Sequence, residues 1–338
     1  MRAVRFHEHG GPDVLRYEDA PDPEARAGEV VVRVRACALN RLDVWNRRGV
    51  VRLPLPHISG ADVAGEIAVS TDQDLAPGRR VMLQPGLSCG RCEACLGGRD
   101  NFCPRYDVLG SQSDGGYAEL VRVPVQNVVP IPDAIGFVEA AAFPLTFLTA
   151  WHMLVTIAKI RPGENVLVIG AGSGVGQAAI QIAWLHGARV FATAGTDEKL
   201  ARAREIGAYE VVNHHTQDLP AEIRRLTDNR GVDVVIEHVG EATWDRSVKC
   251  LARGGRLVTC GATTGYKAQI DLRFLFARQY SIAGSYMGTR AELLRAAQFF
   301  FSGQLRPVVD RTFPLAEAAA AQAYLEGGEQ FGKVVLQV

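Results

Sequence analysis

The stretch over residues 165–177, NVLVIGAGSGVGQ, narrows the choice of fold more than any other part of the chain. Four apolar residues, Val166, Leu167, Val168 and Ile169, are too few for a helix and suit a strand buried on both faces. Gly170, Gly172, Gly174 and Gly176 follow at every second position. Such a turn is tight enough to bring backbone N–H groups against a pyrophosphate. Ser173 and Val175 belong to the same turn. The run AAIQIAWLHGA behind it reads as a helix closed by Gly187, with the positive end of its dipole towards the phosphates. The strict spacing G-x-G-x-x-G is absent, because Val175 stands at the last position counted from Gly170. Alternation downstream carries the reading instead. A strand is expected over 189–193 and a helix over 197–206, then strands over 232–235, ahead of Gly240, and over 256–260, ahead of Gly261. This order predicts a doubly wound parallel sheet with a dinucleotide at the carboxyl ends of its strands.

At 338 residues the chain is long for one domain, and two are expected. Acidic and basic residues balance at zero net charge and are interspersed, which gives no basic face for nucleic acid or an anionic membrane. The expected partner is a small-molecule substrate. The opening MRAVRFHEHGG offers no apolar core for a signal peptide, and no stretch reaches the length of a membrane span, so a cytoplasmic protein is expected. Seven cysteines in that compartment are thiols or metal ligands rather than disulfides. Residues 1–125 read as β-rich, punctuated by prolines and glycines, with strands over 30–34 and two more within 117–130. Helical spacing over 139–158 leads into the glycine-rich region. Beyond it, 291–301 and 315–325 read as helices and 333–338 as a closing strand.

Cys89, Cys92, Cys95 and Cys103 have the spacing C-x2-C-x2-C-x7-C within PGLSCGRCEACLGGRDNFC. Four thiolates so close in sequence can surround one tetrahedral Zn²⁺, with Gly90, Gly97 and Gly98 supplying the turns. Four protein ligands leave no open position for chemistry, so the expected zinc is structural.

The segment GGPDVLRYEDAPDPEARAGEVVVRVRACALNRLD, the four-cysteine lobe and GAGSGVG together resemble the medium-chain dehydrogenase/reductase superfamily, and the likeness runs to the terminal FGKVVLQV. The resemblance implies an α/β chain in two parts. One is a GroES-like, β-rich catalytic domain over 1–145 with 286–338, carrying the zinc lobe at 85–105. The other is a Rossmann dinucleotide-binding domain over 146–285. Dimers and tetramers are common in this superfamily, and the apolar segment 280–286 is expected to pair with its twin across a two-fold axis.

Zinc alcohol dehydrogenases of this superfamily hold a second, catalytic zinc through a Cys-His-Cys set. Aligned by motif, those three positions are Asn40, Ala61 and Leu145 here, and the proton-relay positions are Leu42 and Trp45. A zinc-alkoxide mechanism needs a Lewis acid and a proton route, and these residues supply neither. His57 lies nearby in sequence and reads as a structural histidine. Asn40 and Asp43 match the zinc-independent quinone oxidoreductase branch. As candidate catalytic residues, Asn40 would donate a hydrogen bond to a developing oxyanion, and Asp43 is also weighed as a partner for nearby backbone. The expected chemistry is hydride transfer to a quinone or an α,β-unsaturated carbonyl. Val50 and Val51 replace the tyrosine of enoyl-thioester reductases, which counts against acyl thioesters.

The resemblance places cofactor contacts at Thr149, the glycine-rich turn, Thr196, Lys199, His214, Gly240 and Gly261. The carboxylate that would grip the ribose of NAD(H) falls on Ala194, followed by Gly195 and Thr196. That leaves room for a 2′-phosphate beside Lys199 and His214, and NADP(H) is the expected cofactor. Two other readings stay open: a zinc-type alcohol dehydrogenase acting on an alcohol/aldehyde pair, and a non-catalytic NADPH-binding protein, as with some lens proteins of the superfamily.

Overall fold

The structure, a computed structural model, describes residues 1–70 and 72–338. The chain forms two compact units, one from Met1–Leu145 with Thr289–Val338 and the other from Thr146–Gly288.

The first unit is built on a seven-stranded, mostly antiparallel sheet. Its central strand, Glu29–Ala38, is longer than the 30–34 segment expected, because Cys37 and Ala38 continue the buried face beyond the alternation. Asp62–Ser70 and Leu120–Pro124 pair with this strand antiparallel, and so does the closing strand Lys333–Gln337. Alternating valines and leucines, among them Val30, Val32, Val34, Val63, Val81 and Leu336, fill the core on one side. Pairing register then decides what meets at the end of the central strand. Ala38 lies opposite both Asp62 and Val335, and the N–H of Leu39 donates to the carbonyl of Val334. Three segments remote in sequence, at residues 40, 62 and 333, therefore converge on one spot.

The second unit is a six-stranded parallel sheet in the order Glu210–Asn213, Arg189–Ala194, Asn165–Val168, Val232–Glu237, Leu251–Thr259, Ser281–Gly284. Strand order reverses between Asn165–Val168 and Val232–Glu237, the crevice where such sheets take their ligands. The strand expected over 256–260 begins earlier, at Leu251, because Leu251 already pairs with Val232 ahead of a register shift. The helical stretch expected over 139–158 is three pieces: Phe137–Ala142, Pro144–Trp151 and a π-helical end, His152–Ile157. Pro144 has no N–H to continue the helix before it, so the chain breaks there.

Candidate functional site

The glycine-rich turn sits at the crevice of the parallel sheet. Gly170 leaves the first strand at φ +69°, a conformation that favours glycine, and its N–H donates to Thr193 Oγ1 at 3.1 Å. A Cβ on Gly176 would collide with the carbonyl oxygen of Gly170, so only glycine lets the helix Gly174–Leu185 start this close to the strand. Ser173 caps that helix, its Oγ accepting from the N–H of Gly176 at 2.8 Å and lying 3.1 Å from His238 Nε2. The first-turn N–H groups of Gly174 and Val175 have no preceding turn to bond and face the end of the helix as anion donors. Thr149 Oγ1 is buried without a partner among the described residues. A helix N-terminus, a close glycine approach and an orphaned hydroxyl fit a nicotinamide dinucleotide. When bound, such a cofactor exchanges hydride at its nicotinamide.

Other expected cofactor contacts divide differently. Thr196 caps the helix Asp197–Glu205, its Oγ1 accepting from the N–H of Lys199 at 3.3 Å. The carboxylate of Asp197 is engaged by Asn213 Nδ2 at 3.1 Å. His214 is half-buried, and burial, helped by neighbouring His215 and Arg246, pulls its pKa down to about 4. It is therefore neutral near pH 7. Burial therefore works against a charged His214 at this position, and any charge-assisted contact with a phosphate would have to offset that desolvation. Gly240, expected to face the cofactor, gives its N–H to the buried carboxylate of Glu237 at 2.8 Å. Glu237 also accepts from Val239 N–H at 3.1 Å and from Thr243 Oγ1 at 2.9 Å, and so anchors the loop. Gly261 stands where a Cβ would press on the carbonyl of His238. Its role is close packing of two strand ends.

In the first unit the four cysteines of the lobe come together, with all ligand atoms within 4.8 Å of one another. Cys92 Sγ lies 3.4 Å from Cys95 Sγ, and the N–H groups of Cys89 and Arg105 each reach Cys103 Sγ at 3.4 Å. Backbone N–H bonding, led by Arg91, pulls the Cys89 thiol down to about 5, while burial and the neighbouring sulfurs push Cys92 up to about 11 in the metal-free cluster. Four sulfurs gathered this way, with N–H donors behind them, fit a tetrahedral zinc.

The third cluster surrounds Asn40. Lys333 Nζ donates to Asn40 Oδ1 at 2.7 Å and to Asp62 Oδ2 at 2.9 Å, and Asn40 Nδ2 donates to the same Asp62 oxygen at 3.0 Å. Asp62 Oδ1 accepts from the N–H of Leu145 at 2.7 Å. Lys333 is 2 % exposed, Asp62 0 % and Asn40 7 %, so the ion pair is cut off from water. Neither Lys333 nor Asp62 was singled out in the sequence. A signal existed: an ionisable residue inside the apolar run FGKVVLQV, and another inside SGADVAG, each demands a buried partner.

Asp43 is not available as a reacting group. Its carboxylate accepts from Asn40 N–H at 2.7 Å, Gly60 N–H at 3.1 Å and the Tyr117 hydroxyl at 3.1 Å, and it is 1 % exposed. Burial pushes its pKa up to about 6 against the opposing pull of the Asn40 N–H, the Tyr117 hydroxyl and Lys333. It serves as the partner for nearby backbone. His57 is buried, with Nε2 3.0 Å from the carbonyl oxygen of Gly110, and burial lowers its pKa. Its role is structural too.

Comparison with known proteins places the chain in a family. Residues 26–133 match the family described as alcohol dehydrogenase GroES-like domain, and residues 174–302 match zinc-binding dehydrogenase. Quinone oxidoreductase from Homo sapiens is 31 % identical over 99 % of this chain and 97 % of its own length. NAD-dependent alcohol dehydrogenase from Sulfolobus acidocaldarius is 29 % identical over the whole of both chains. A crystal structure of an NAD-dependent alcohol dehydrogenase superposes with a TM-score of 0.97 at 50 % identity, covering 100 % of each chain. The chain belongs to the medium-chain dehydrogenase/reductase superfamily and is an oxidoreductase of that family.

Proposed function

We propose that the protein transfers hydride from NADPH to a quinone or an α,β-unsaturated carbonyl without a catalytic zinc. The observation that carries this reading is the buried Lys333 ammonium, 2.7 Å from Asn40 Oδ1 and 2.9 Å from Asp62 Oδ2. Asn40, Ala61 and Leu145 stand where the resemblance puts the ligands of a catalytic zinc, and an ammonium beside Asn40 would repel a divalent cation. A carbonyl acceptor needs no alcohol-activating metal. Asn40 can offer an N–H to the oxygen as it gains negative charge, and water supplies the proton that completes the reduction. NADP(H) is favoured by Ala194, Gly195 and Thr196 at the ribose position and by Lys199 nearby. Cys89, Cys92, Cys95 and Cys103 hold one structural zinc in this proposal.

A second reading has its own support. The 50 % identical structure is titled an NAD-dependent alcohol dehydrogenase. One experiment separates the two readings, and a third in which the cofactor binds without turnover. Purified protein is assayed with NADPH against 1,4-benzoquinone and trans-2-hexenal, and with NAD⁺ against ethanol, benzyl alcohol and 2-butanol. Oxidation of NADPH by the quinone or the enal supports the proposal. NAD⁺ reduction by an alcohol, together with two zinc atoms per chain, supports the alternative and overturns it. Cofactor binding with no turnover under any condition leaves the non-catalytic reading.

A further inference from the structure

We infer that Lys333 is a positioning residue for this reduction, acting through the side chain of Asn40; the inference rests on the reading that Asn40 meets the substrate oxygen. An ammonium has only donors, so the amide atom 2.7 Å from Lys333 Nζ is the oxygen. The carboxylate of Asp62 has only acceptors, so the amide atom 3.0 Å from it is the nitrogen. Flipping the Asn40 amide would set NH₂ against ammonium and carbonyl against carboxylate. The pair therefore locks one orientation. Asp62 is itself held at its other oxygen by Leu145 N–H at 2.7 Å, which keeps the lock in place.

One Nδ2 hydrogen is used by Asp62. Among the described residues the second has the Ala38 carbonyl alone within reach, at a long 3.5 Å, and is the hydrogen left to meet a closer acceptor. A cation bonded to Oδ1 draws electron density along the conjugated amide and makes that remaining N–H a stronger donor, the cooperative effect expected of a chain of hydrogen bonds. With Lys333 and Asp62 buried, water does not screen the effect. A packed apolar pair at these positions would be as stable or more so. Stability alone therefore does not account for the ion pair.

The test compares full-length wild type, Asn40→Ala, Lys333→Met and the charge-neutral Asp62→Asn/Lys333→Met in steady-state NADPH oxidation with whichever acceptor is turned over. Lys333→Met is expected to lower kcat about tenfold or more, with acceptor KM changed by less than about threefold. It should add little when Asn40 is already alanine. The charge-neutral variant, which leaves no lone buried charge, should show the same kcat loss if Lys333→Met folds poorly. A second readout needs no turnover. In protein labelled with ¹⁵N at asparagine, the Asn40 side-chain amide, identified by its loss in Asn40→Ala, should shift upfield in proton when Lys333 is replaced. Slow turnover in Asn40→Ala but normal kcat and an unshifted amide in both Lys333 variants would overturn the inference alone. Normal turnover in Asn40→Ala would overturn the reading of Asn40 and this inference with it.

Discussion

Replacing Lys333 with methionine keeps most of the side chain's volume and removes its charge, leaving the Asp62 carboxylate buried. Among the described residues Asp62 then keeps Asn40 Nδ2 and Leu145 N–H alone as donors, at 3.0 and 2.7 Å. Losing one partner of a buried pair costs about 3–5 kcal/mol, since the remaining charge has no water to turn to. The 0 % exposure of Asp62 puts this site in that class rather than among surface pairs worth under about 1 kcal/mol. In a unit of this size each kcal/mol moves the midpoint by about 2–4 °C, so melting should fall by about 6–20 °C. Asp62→Asn should cost a similar amount, because it strands the ammonium. The double variant Asp62→Asn/Lys333→Met should cost far less than the sum, since neither charge remains. Urea unfolding at pH 7, followed by far-UV circular dichroism and extrapolated linearly, measures all four species. Additive single-variant costs, or a Lys333→Met cost below about 1 kcal/mol, would refute the claim that the two charges depend on each other.

The cysteine lobe should bind one zinc per chain, and its removal by a chelator should loosen residues 85–105 to proteolysis; zinc sites of this type are worth roughly 10–16 kcal/mol apparent in small peptides. A lobe equally protected with and without metal would count against a zinc role. Burial disfavours charge on His214, so Lys199 is proposed as the main phosphate contact: Lys199→Ala should weaken NADPH binding about fivefold and leave NADH nearly unchanged, and Ala194→Asp should favour NADH. Equal weakening for both cofactors in calorimetry would remove this pocket assignment. The edge strand Ser281–Gly284, with Phe274, Phe276 and Tyr286 exposed beside it in sequence, is proposed to pair with a second copy of the chain, and light scattering at micromolar concentration should show a dimer or tetramer rather than a monomer. Asp43, raised from 3.8 to about 6, should titrate with a midpoint near 6 by carboxyl ¹³C NMR. Its folded pKa is raised, so its contribution to stability is complete below pH 3.8 and is lost as pH rises through 6, a fall of about 3 kcal/mol. A midpoint at or below pH 4 would show that its hydrogen bonds outweigh its burial.

Local chemistry was legible in the chain wherever the residues that act together are close in sequence. The glycine-rich turn declares itself because strand, turn and helix are consecutive, and the steric demand at Gly176 is met by Gly170 only six positions earlier. Three of the four cysteines fall within seven residues, and the fourth follows soon after. Boundaries were less legible, since burial rather than propensity extends the strands to Ala38 and Ala194.

The Asn40 cluster was half legible for a physical reason. Asn40 and Asp43 could be placed by resemblance, and their mutual bond spans three residues. Lys333 reaches Asn40 across a separation of 293 residues and Asp62 across 271, through a pairing register that no local pattern encodes. What the chain did display was an unexplained expense: Lys333, one of five lysines in the sequence, sits among valines in a closing strand. A charge in such a run must find a counter-charge or neutralise, so its presence already implied a carboxylate on a neighbouring strand. Asp62, opening the strand after SGA, was one acidic residue in an equally apolar setting, and Glu237 within VVIEHVG was another. Matching isolated buried charges of opposite sign narrows the partner of Lys333 to a few such carboxylates, and the strand register selects Asp62. The same register sets Asn40 between that cation and anion, which fix which of its atoms can face a substrate.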